Sequence, residues 1–399
     1  MPGGDRMSPV ELRAAWSLAG IFGLRMLGMF VVLPVFAIHA ESLPGGDDLV
    51  LVGIAIGVYG LAQALLQIPF GWWSDRYGRK PVIYAGLAVF AAGSFVAALG
   101  AHIYVVILGR LLQGAGAIAA PAMAMAADLT RDQHRAKTMA MIGATIGATF
   151  ALSLVLSPWL DRTIGVPGIF AMTGVLVLAA MVLVRVAVPD APRRPPPTAR
   201  GLDSFLSALK DARLARLYYG VFALHAVLMA MFIAVPLDLR AAGLPVDRHW
   251  LVYLPVMAGS FLLALPAVLG ARTPGRDRGV LAGSIAVLVL AQILLPRPGA
   301  GAWGIGLALL AFFTAFNLLE VFLPALVSRI AGRDSRGVAI GIFTSLQFLG
   351  AFCGAAAGGA LYGAWGTPGV VVLNAVLLVI WLGVALGGRP APQGGQRGV

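Results

Sequence analysis

Along the 399-residue chain, runs of about twenty apolar residues alternate with short polar breaks. A helix needs about 20 such residues to cross the hydrocarbon of a bilayer. Twelve runs qualify, at 14–39, 49–73, 81–100, 103–127, 137–160, 167–188, 217–238, 250–270, 279–296, 301–327, 338–362 and 369–387. Turn signals separate them: "LPGGDD" at 43–48, "TPGRDR" at 273–278 and "PRPGAG" at 296–301. The longest polar break is 189–216, whose heart reads "PDAPRRPPPTARG". Prolines there oppose helix and favour an extended linker. The pattern predicts an all-α membrane protein: a six-helix bundle over 1–188, a linker over 189–216, a second six-helix bundle over 217–388 and a tail over 389–399. The halves echo each other, since "QIPFGWWSDRYGRK" aligns with "ALPAVLGARTPGRD" so that Pro69 meets Pro266, Gly78 meets Gly275 and Arg79 meets Arg276. Repeated six-helix halves are a transporter pattern.

Composition agrees with lipid as the main solvent. Hydrophobic residues make up 59% of the chain and charged residues 12%, roughly half the charged share of a soluble domain. The net charge of +12 would point to nucleic acid in a soluble protein, but basic residues also gather in the cytoplasmic loops of membrane proteins. With both termini placed in the cytoplasm, 23 of the 29 Lys and Arg residues fall on that side; Arg162, Arg240, Arg248 and Arg297 fall outside, and Arg25 and Arg110 lie within spans. The expected location is a bacterial inner membrane, with lipid as a partner, no nucleic acid and a monomeric state. A lone cysteine, Cys353, leaves no internal disulfide and no Cys-based metal cluster. The first apolar run is too long for a cleavable signal and holds Arg25. No nucleophile–base pair, metal-ligand cluster or phosphate loop is visible, so neither an enzyme nor a bound cofactor or metal is expected.

Four charges, Asp75, Arg76, Arg79 and Lys80, crowd into the turn "GWWSDRYGRK" that begins at Gly71. This stretch resembles the G-x-x-x-D-R-x-G-R-K/R signature between helices 2 and 3 of the major facilitator superfamily, and it follows the second span as that signature does. "RLLQGAG", Arg110 to Gly116, resembles the family's R-x-x-Q-G-x-G element in helix 4. With "LRMLGMFVVLPVFA" in span 1 and "TSLQFLG" in span 11, the chain looks closest to the YajR-like branch of drug/proton antiporters. Such members can carry an extra soluble C-terminal domain, which is not expected after the short Gly/Pro-rich tail. The resemblance implies the two-bundle major facilitator fold. It also implies a latch: the matching aspartate, Asp75, faces the N-terminus of helix 11 when the cavity opens outward. A carboxylate there gains about 0.3–1 kcal/mol, and about 2 when partly buried. Gly71, Asp75, Arg76, Gly78, Arg79, Lys80 and Asp128 are the expected latch residues, with Arg79 pairing with Asp75 or Asp128 and Gly78 permitting the turn. The competing reading is that these charges only set topology and cap helices. In span 5 the antiporter signature ends in G-P, whereas this chain has Ser157-Pro158.

An ionisable side chain near mid-bilayer costs about 2.5–3.5 kcal/mol on insertion scales. Four lie within spans: Arg25, Arg110, His225 and Glu320, in spans 1, 4, 7 and 10, the spans that line the central cavity in the superfamily. Glu320 and His225 are the expected proton-coupling residues. The alternatives are Glu320 as a fixed partner of Arg25 and His225 as a helix–helix hydrogen bonder. Arg25, Met26, Met29, Phe30, Met229, Phe316 and Asn317 are the expected cavity residues, Asn317 lying one turn before Glu320. Arg110, Gln113 and Gly114 are expected to organise the first half, Arg110 by bonding span 1. Small-xxx-small spacing at Gly53 and Gly57, at Gly143 and Gly147, and at Gly350, Gly354 and Gly358 predicts close helix contacts. The leading functional expectation is proton-coupled efflux of a small amphipathic or apolar compound by alternating access. A transporter of a polar metabolite (sugar or amino acid) and a non-transporting membrane scaffold or sensor are the competing readings.

Overall fold

The computed structural model describes residues 6–190, 201–270, 277–295, 301–331 and 336–387. Residues 191–200 of the linker, the loop at 271–276, the "PRPGAG" turn up to residue 300 and the tail from 388 lie outside the described residues; the linker from 201 onward is mostly helical rather than extended, because the prolines end at Pro197. The described residues form fourteen α-helices and one 3-10 turn, with no strand among them. The helices are α1 (Pro9–Val31), α2 (Leu33–Ala40), α3 (Leu49–Tyr77), α4 (Arg79–Ala98), α5 (Ile103–Ala115), α6 (Ala119–Asp128), α7 (Asp132–Val186), α8 (Gly201–Lys210), α9 (Ala212–Ala241), α10 (Trp250–Gly270), α11 (Asp277–Leu294), α12 (Gly301–Ile330), α13 (Arg336–Trp365) and α14 (Thr367–Leu386). Eleven stretches are long and apolar enough to cross a membrane. One of them, α7, contains two spans, because Gly165 turns the chain with φ of 67°.

Four predicted spans, 1, 4, 5 and 6, differ in detail. The first span divides at Val32 into α1 and α2. Pro34 lacks an N–H and its ring crowds the carbonyl one turn back. At this break the Val35 N–H turns to the Val32 carbonyl at 3.3 Å, and the Val31 carbonyl accepts the Ser157 hydroxyl at 2.5 Å, so the serine that departs from the G-P signature closes a hydrogen-bond deficit in oil. The fourth span breaks at 116–118 into α5 and α6. Spans 5 and 6 join without a separate loop.

Call the face where α1 begins and α14 ends the near face, and the opposite one the far face. In the first half α1 packs on α7, and α5 and α7 flank α4; in the second, α9 packs on α13 and α12 on α10. The halves meet chiefly where α3 runs antiparallel to α13. A Cβ at Gly53 would strike the Ala355 carbonyl, one at Gly57 would strike Phe352, and one at Gly60 would strike the Phe348 carbonyl. Glycine permits this backbone-to-backbone approach. Continuing the same register toward the near face would bring Gln67 to Gly341 and Gly71 to Gly337, yet a Cβ at Gly341 or Gly337 would meet nothing within 4 Å. The two helices therefore splay apart toward the near face.

Gly143 and Gly147 of α7 likewise face open space, correcting the expectation of tight packing at that pair. At the far face the halves are closed. Among the described residues two ion pairs join them, both there: Arg240 with Glu41 at 2.6 Å and Arg162 with Asp247 at 3.7 Å.

Candidate functional site

Glu320 of α12, His225 of α9 and Gln347 of α13 meet at one depth. They stand 10, 13 and 11 residues from the near-face ends of their helices, about 15–20 Å of helical rise. Glu320 Oε1 lies 3.2 Å from His225 Nε2, and Gln347 Nε2 lies 2.8 Å from that same nitrogen. His225 Nδ1 lies 3.1 Å from the Val221 carbonyl one turn back. A carbonyl only accepts, so Nδ1 carries hydrogen and Nε2 is the nitrogen that faces Glu320 and Gln347. The Glu320 side chain is 36% exposed, while α9 around His225 is almost wholly covered. Asn317 does not reach the carboxylate; its amide donates to Ser260 Oγ of α10 at 3.0 Å.

An aromatic lid lies toward the far face from this pair. Phe150 of α7 inserts between the halves, its ring 5.0 Å from Phe30, 6.2 Å from Phe232, 6.0 Å from Phe313 and 6.3 Å from Phe316. Phe316 also packs on the His225 ring at 5.7 Å. Met229 is buried one turn beyond His225 on α9. The region around Glu320 is thus shut by rings toward the far face, while α3 and α13 separate toward the near one.

Arg25 does not line a cavity, contrary to expectation, nor does it pair with Glu320. It is fully buried inside the first half. Its Nη2 donates to Tyr59 Oη at 2.6 Å, to Gln63 Oε1 at 2.8 Å and to the Gly116 carbonyl at 3.4 Å. That last carbonyl lies in the break between α5 and α6 and also accepts the Ile118 N–H at 2.8 Å. Its positive face lies 5.2 Å from the Phe90 ring, a cation–π contact that offsets part of the cost of burial. Met26 and Met29 are also buried, in the core of the same half.

Arg110 bonds span 2 rather than span 1: Nε reaches the Ala55 carbonyl at 3.3 Å and Nη2 the Ile56 carbonyl at 3.2 Å. Gln113 accepts from Arg110 at 3.0 Å and donates to Ser94 at 2.8 Å. A Cβ at Gly114 would collide with the Tyr59 carbonyl, so glycine there lets α5 approach α3.

At the near face, Arg79 ties two carboxylates together, 2.5 Å from Asp75 and 3.0 Å from Asp128, and donates to Ser74 at 2.7 Å. Ser74 in turn bonds the Gly71 carbonyl. Gly78 has φ of 97°, a conformation that side chains oppose. Arg76 lies over the Trp72 ring at 5.8 Å and Lys80 pairs with exposed Asp190 at 2.7 Å. Here Asp75 is engaged within its own half. Sequence reading missed Gln347, Phe150, Tyr59 and the Glu41–Arg240 pair. Nothing in the spacing distinguishes one phenylalanine or glutamine from its neighbours, and the ion pair joins residues 199 positions apart.

Comparison with known proteins accords with this architecture. The chain is 42% identical to the inner membrane transport protein YajR of Escherichia coli over 382 residues, 95% of this chain and 84% of the relative. It is 25% identical to the multidrug resistance protein MdtH of Aeromonas salmonicida, covering 87% of each. A bacterial homologue of the human lysosomal transporter Spinster, solved in an inward-facing and occupied conformation, superposes with a TM-score of 0.75 at 15% identity, over 97% of this chain and 100% of that one. The family model of the Major Facilitator Superfamily matches residues 18–355; with the two helical halves and the charged turn after the second span, the chain belongs to that superfamily of membrane transporters.

Proposed function

We propose that the protein exports a small amphipathic or apolar compound in exchange for protons, by alternating access between its two six-helix halves. The single observation that carries this is the Glu320–His225 contact, 3.2 Å inside a membrane-spanning bundle. With Nδ1 committed to the Val221 carbonyl, one proton between Nε2 and Oε1 makes an attractive pair. Without it, a lone pair faces a carboxylate and the pair repels. Such a site has two states that differ by a proton and in the contacts each favours, which is what coupling requires.

The near face is read as cytoplasmic because 23 of the 29 basic residues fall on that side. The structure then corresponds to the state open to the cytoplasm, with substrate entering between α3 and α13 and release awaiting opening of the far face. The surroundings of the pair favour an apolar cargo: Phe316 packs on His225, Phe30 and Phe316 both pack on Phe150, Asn317 is already bonded to Ser260, and Arg25 is sealed away. A sugar would find few free hydrogen-bonding groups there. Similarity to a multidrug resistance protein supports the same reading.

The test uses purified protein in sealed proteoliposomes, an imposed pH gradient and ethidium as the probe. Wild type transports ethidium in response to the gradient, and Glu320→Gln lowers that flux at least tenfold. Gradient-driven flux that survives Glu320→Gln refutes the assignment. A wild type that moves neither ethidium nor protons favours the scaffold reading instead.

A further inference from the structure

Gln347 belongs to no element of the mechanism above, yet its position is singular. On one side its amide touches the proton-exchanging nitrogen of His225 at 2.8 Å. The next residue, Phe348, meets the first half: its carbonyl lies against Gly60 and its ring is 6.3 Å from the Tyr59 ring. Tyr59 in turn holds Arg25 by a hydrogen bond and has the Arg110 guanidinium 5.2 Å from its ring. Helix α13 is locked to α9 by backbone contacts at Gly350, Gly354 and Gly358 and to α3 at the Gly53, Gly57 and Gly60 level. It is the element that both halves grip.

Among the described residues, the groups facing His225 are few. They are Glu320 and Phe316 from α12, Gln347 from α13 and the Val221 carbonyl of its own helix. An amide presents a donor at one end and an acceptor at the other. When Nε2 is bare, the Gln347 NH2 can donate to it. When Nε2 carries hydrogen, that arrangement sets donor against donor, and the amide must turn to offer its oxygen. We propose that Gln347 is a positioning residue that reads the proton state of the His225–Glu320 pair and passes it, through the adjacent Phe348, to the α3–α13 seam between the halves. The inference rests on the proposed role of that pair.

Two variants test it in ethidium-loaded proteoliposomes. Both gradient-driven flux and ethidium exchange without a gradient are measured, with Glu320→Gln run in parallel. Gln347→Leu removes both amide functions, and the ratio of driven flux to exchange is expected to fall at least tenfold. Gln347→Glu keeps the shape and only accepts, so it favours the protonated imidazole; the pH profile of driven flux is expected to move upward by about 1 unit or more. A purely structural role lowers both fluxes together and leaves the ratio unchanged, which overturns the proposal. So does a Gln347→Glu profile that superimposes on wild type, and this variant decides the matter if Gln347→Leu does not fold. If Glu320→Gln abolishes driven flux while both Gln347 variants behave as wild type, this inference falls and the proton-site assignment stands. If Glu320→Gln has no effect, both fall.

Discussion

The far-face clasp offers the sharpest quantitative prediction. Arg240 and Glu41 form two parallel hydrogen bonds of 2.7 and 2.6 Å, yet the side chains are 42% and 44% exposed. Exposed pairs are worth about 0.2–1 kcal/mol, and bidentate geometry places this one toward the upper end. The Arg162–Asp247 contact is longer, with Arg162 73% exposed, and contributes near zero on the same scale. Glu41→Gln should therefore raise the ratio of far-face-open to far-face-closed molecules by about 1.5- to 5-fold, the free-energy range converted at RT of about 0.6 kcal/mol.

Spin labels at Asp47→Cys and Ala242→Cys, on exposed far-face turns of opposite halves, report this as a distance distribution once the lone Cys353 is replaced by Ala. Exchanging the charges, Glu41→Arg with Arg240→Glu, should restore the wild-type ratio within about twofold, since the geometry is retained with the polarity inverted. Raising salt to 1 M shrinks the screening length to about 3 Å; wild type should then approach the Glu41→Gln distribution while the variant scarcely moves. A single variant that leaves the distances unchanged, or a swap that behaves as two independent losses, refutes the view that this pair holds the far face shut.

Further predictions concern stability. Gly354→Leu places side-chain atoms against the Ala226 backbone and should destabilise the purified protein by about 1–3 kcal/mol or more. Gly341→Ala, in open space, should be neutral or stabilising by up to about 1 kcal/mol; thermal unfolding in detergent separates the two. Arg79→Gln removes the cation that pairs with both Asp75 and Asp128, the latter with a side chain only 9% exposed, and should lower stability by about 1–3 kcal/mol. Lys80→Gln, whose partner Asp190 is 90% exposed, should change it by less than about 0.5 kcal/mol.

Much of the fold was legible because lipid leaves the chain few options. Runs of apolar residues of one length must be helices, and the Pro-rich break divides them six and six. The break at Val32 was legible too, in principle, through Pro34. The break at 116–118 was not, because Gly116 is one glycine among 51. At the site, Glu320 and His225 stand out since charge in oil is rare. The same reasoning misassigned Arg25: burial within one half and exposure to a cavity between halves carry the same signature of a charge in an apolar run. The helical period was no help, because α1 has little amphipathic contrast and is covered on most of its surface. Gln347 and Phe150 acquire their roles only from partners on other helices, a property of packing that linear spacing does not encode.

The polar contacts that define this state are weak where they must break and strong where they must not. Within each half, the joints are glycine against backbone carbonyl and buried guanidinium against carbonyl, as at Gly354 with Ala226 and Arg110 with Ala55. Between the halves, the polar joints among the described residues are exposed ion pairs at the far face, together worth about 0.2–1 kcal/mol. On the family resemblance, the opposite state gains Asp75 at the start of α13, worth about 0.3–2 kcal/mol. These opposing terms are of one size, so neither latch dominates. A difference of even 1 kcal/mol in how the two states hold the proton then shifts their populations about fivefold. Reinforcing the far-face clasp with a covalent tie should for that reason abolish transport rather than improve it: a bis-methanethiosulfonate cross-linker, attached through a disulfide at each end to cysteines replacing Glu41 and Arg240 and long enough to replace the paired side chains, should trap the near-face-open form, and reduction should release it. Flux that persists with that cross-link intact would show that the far face need not open, and the alternating-access reading of this structure would be wrong.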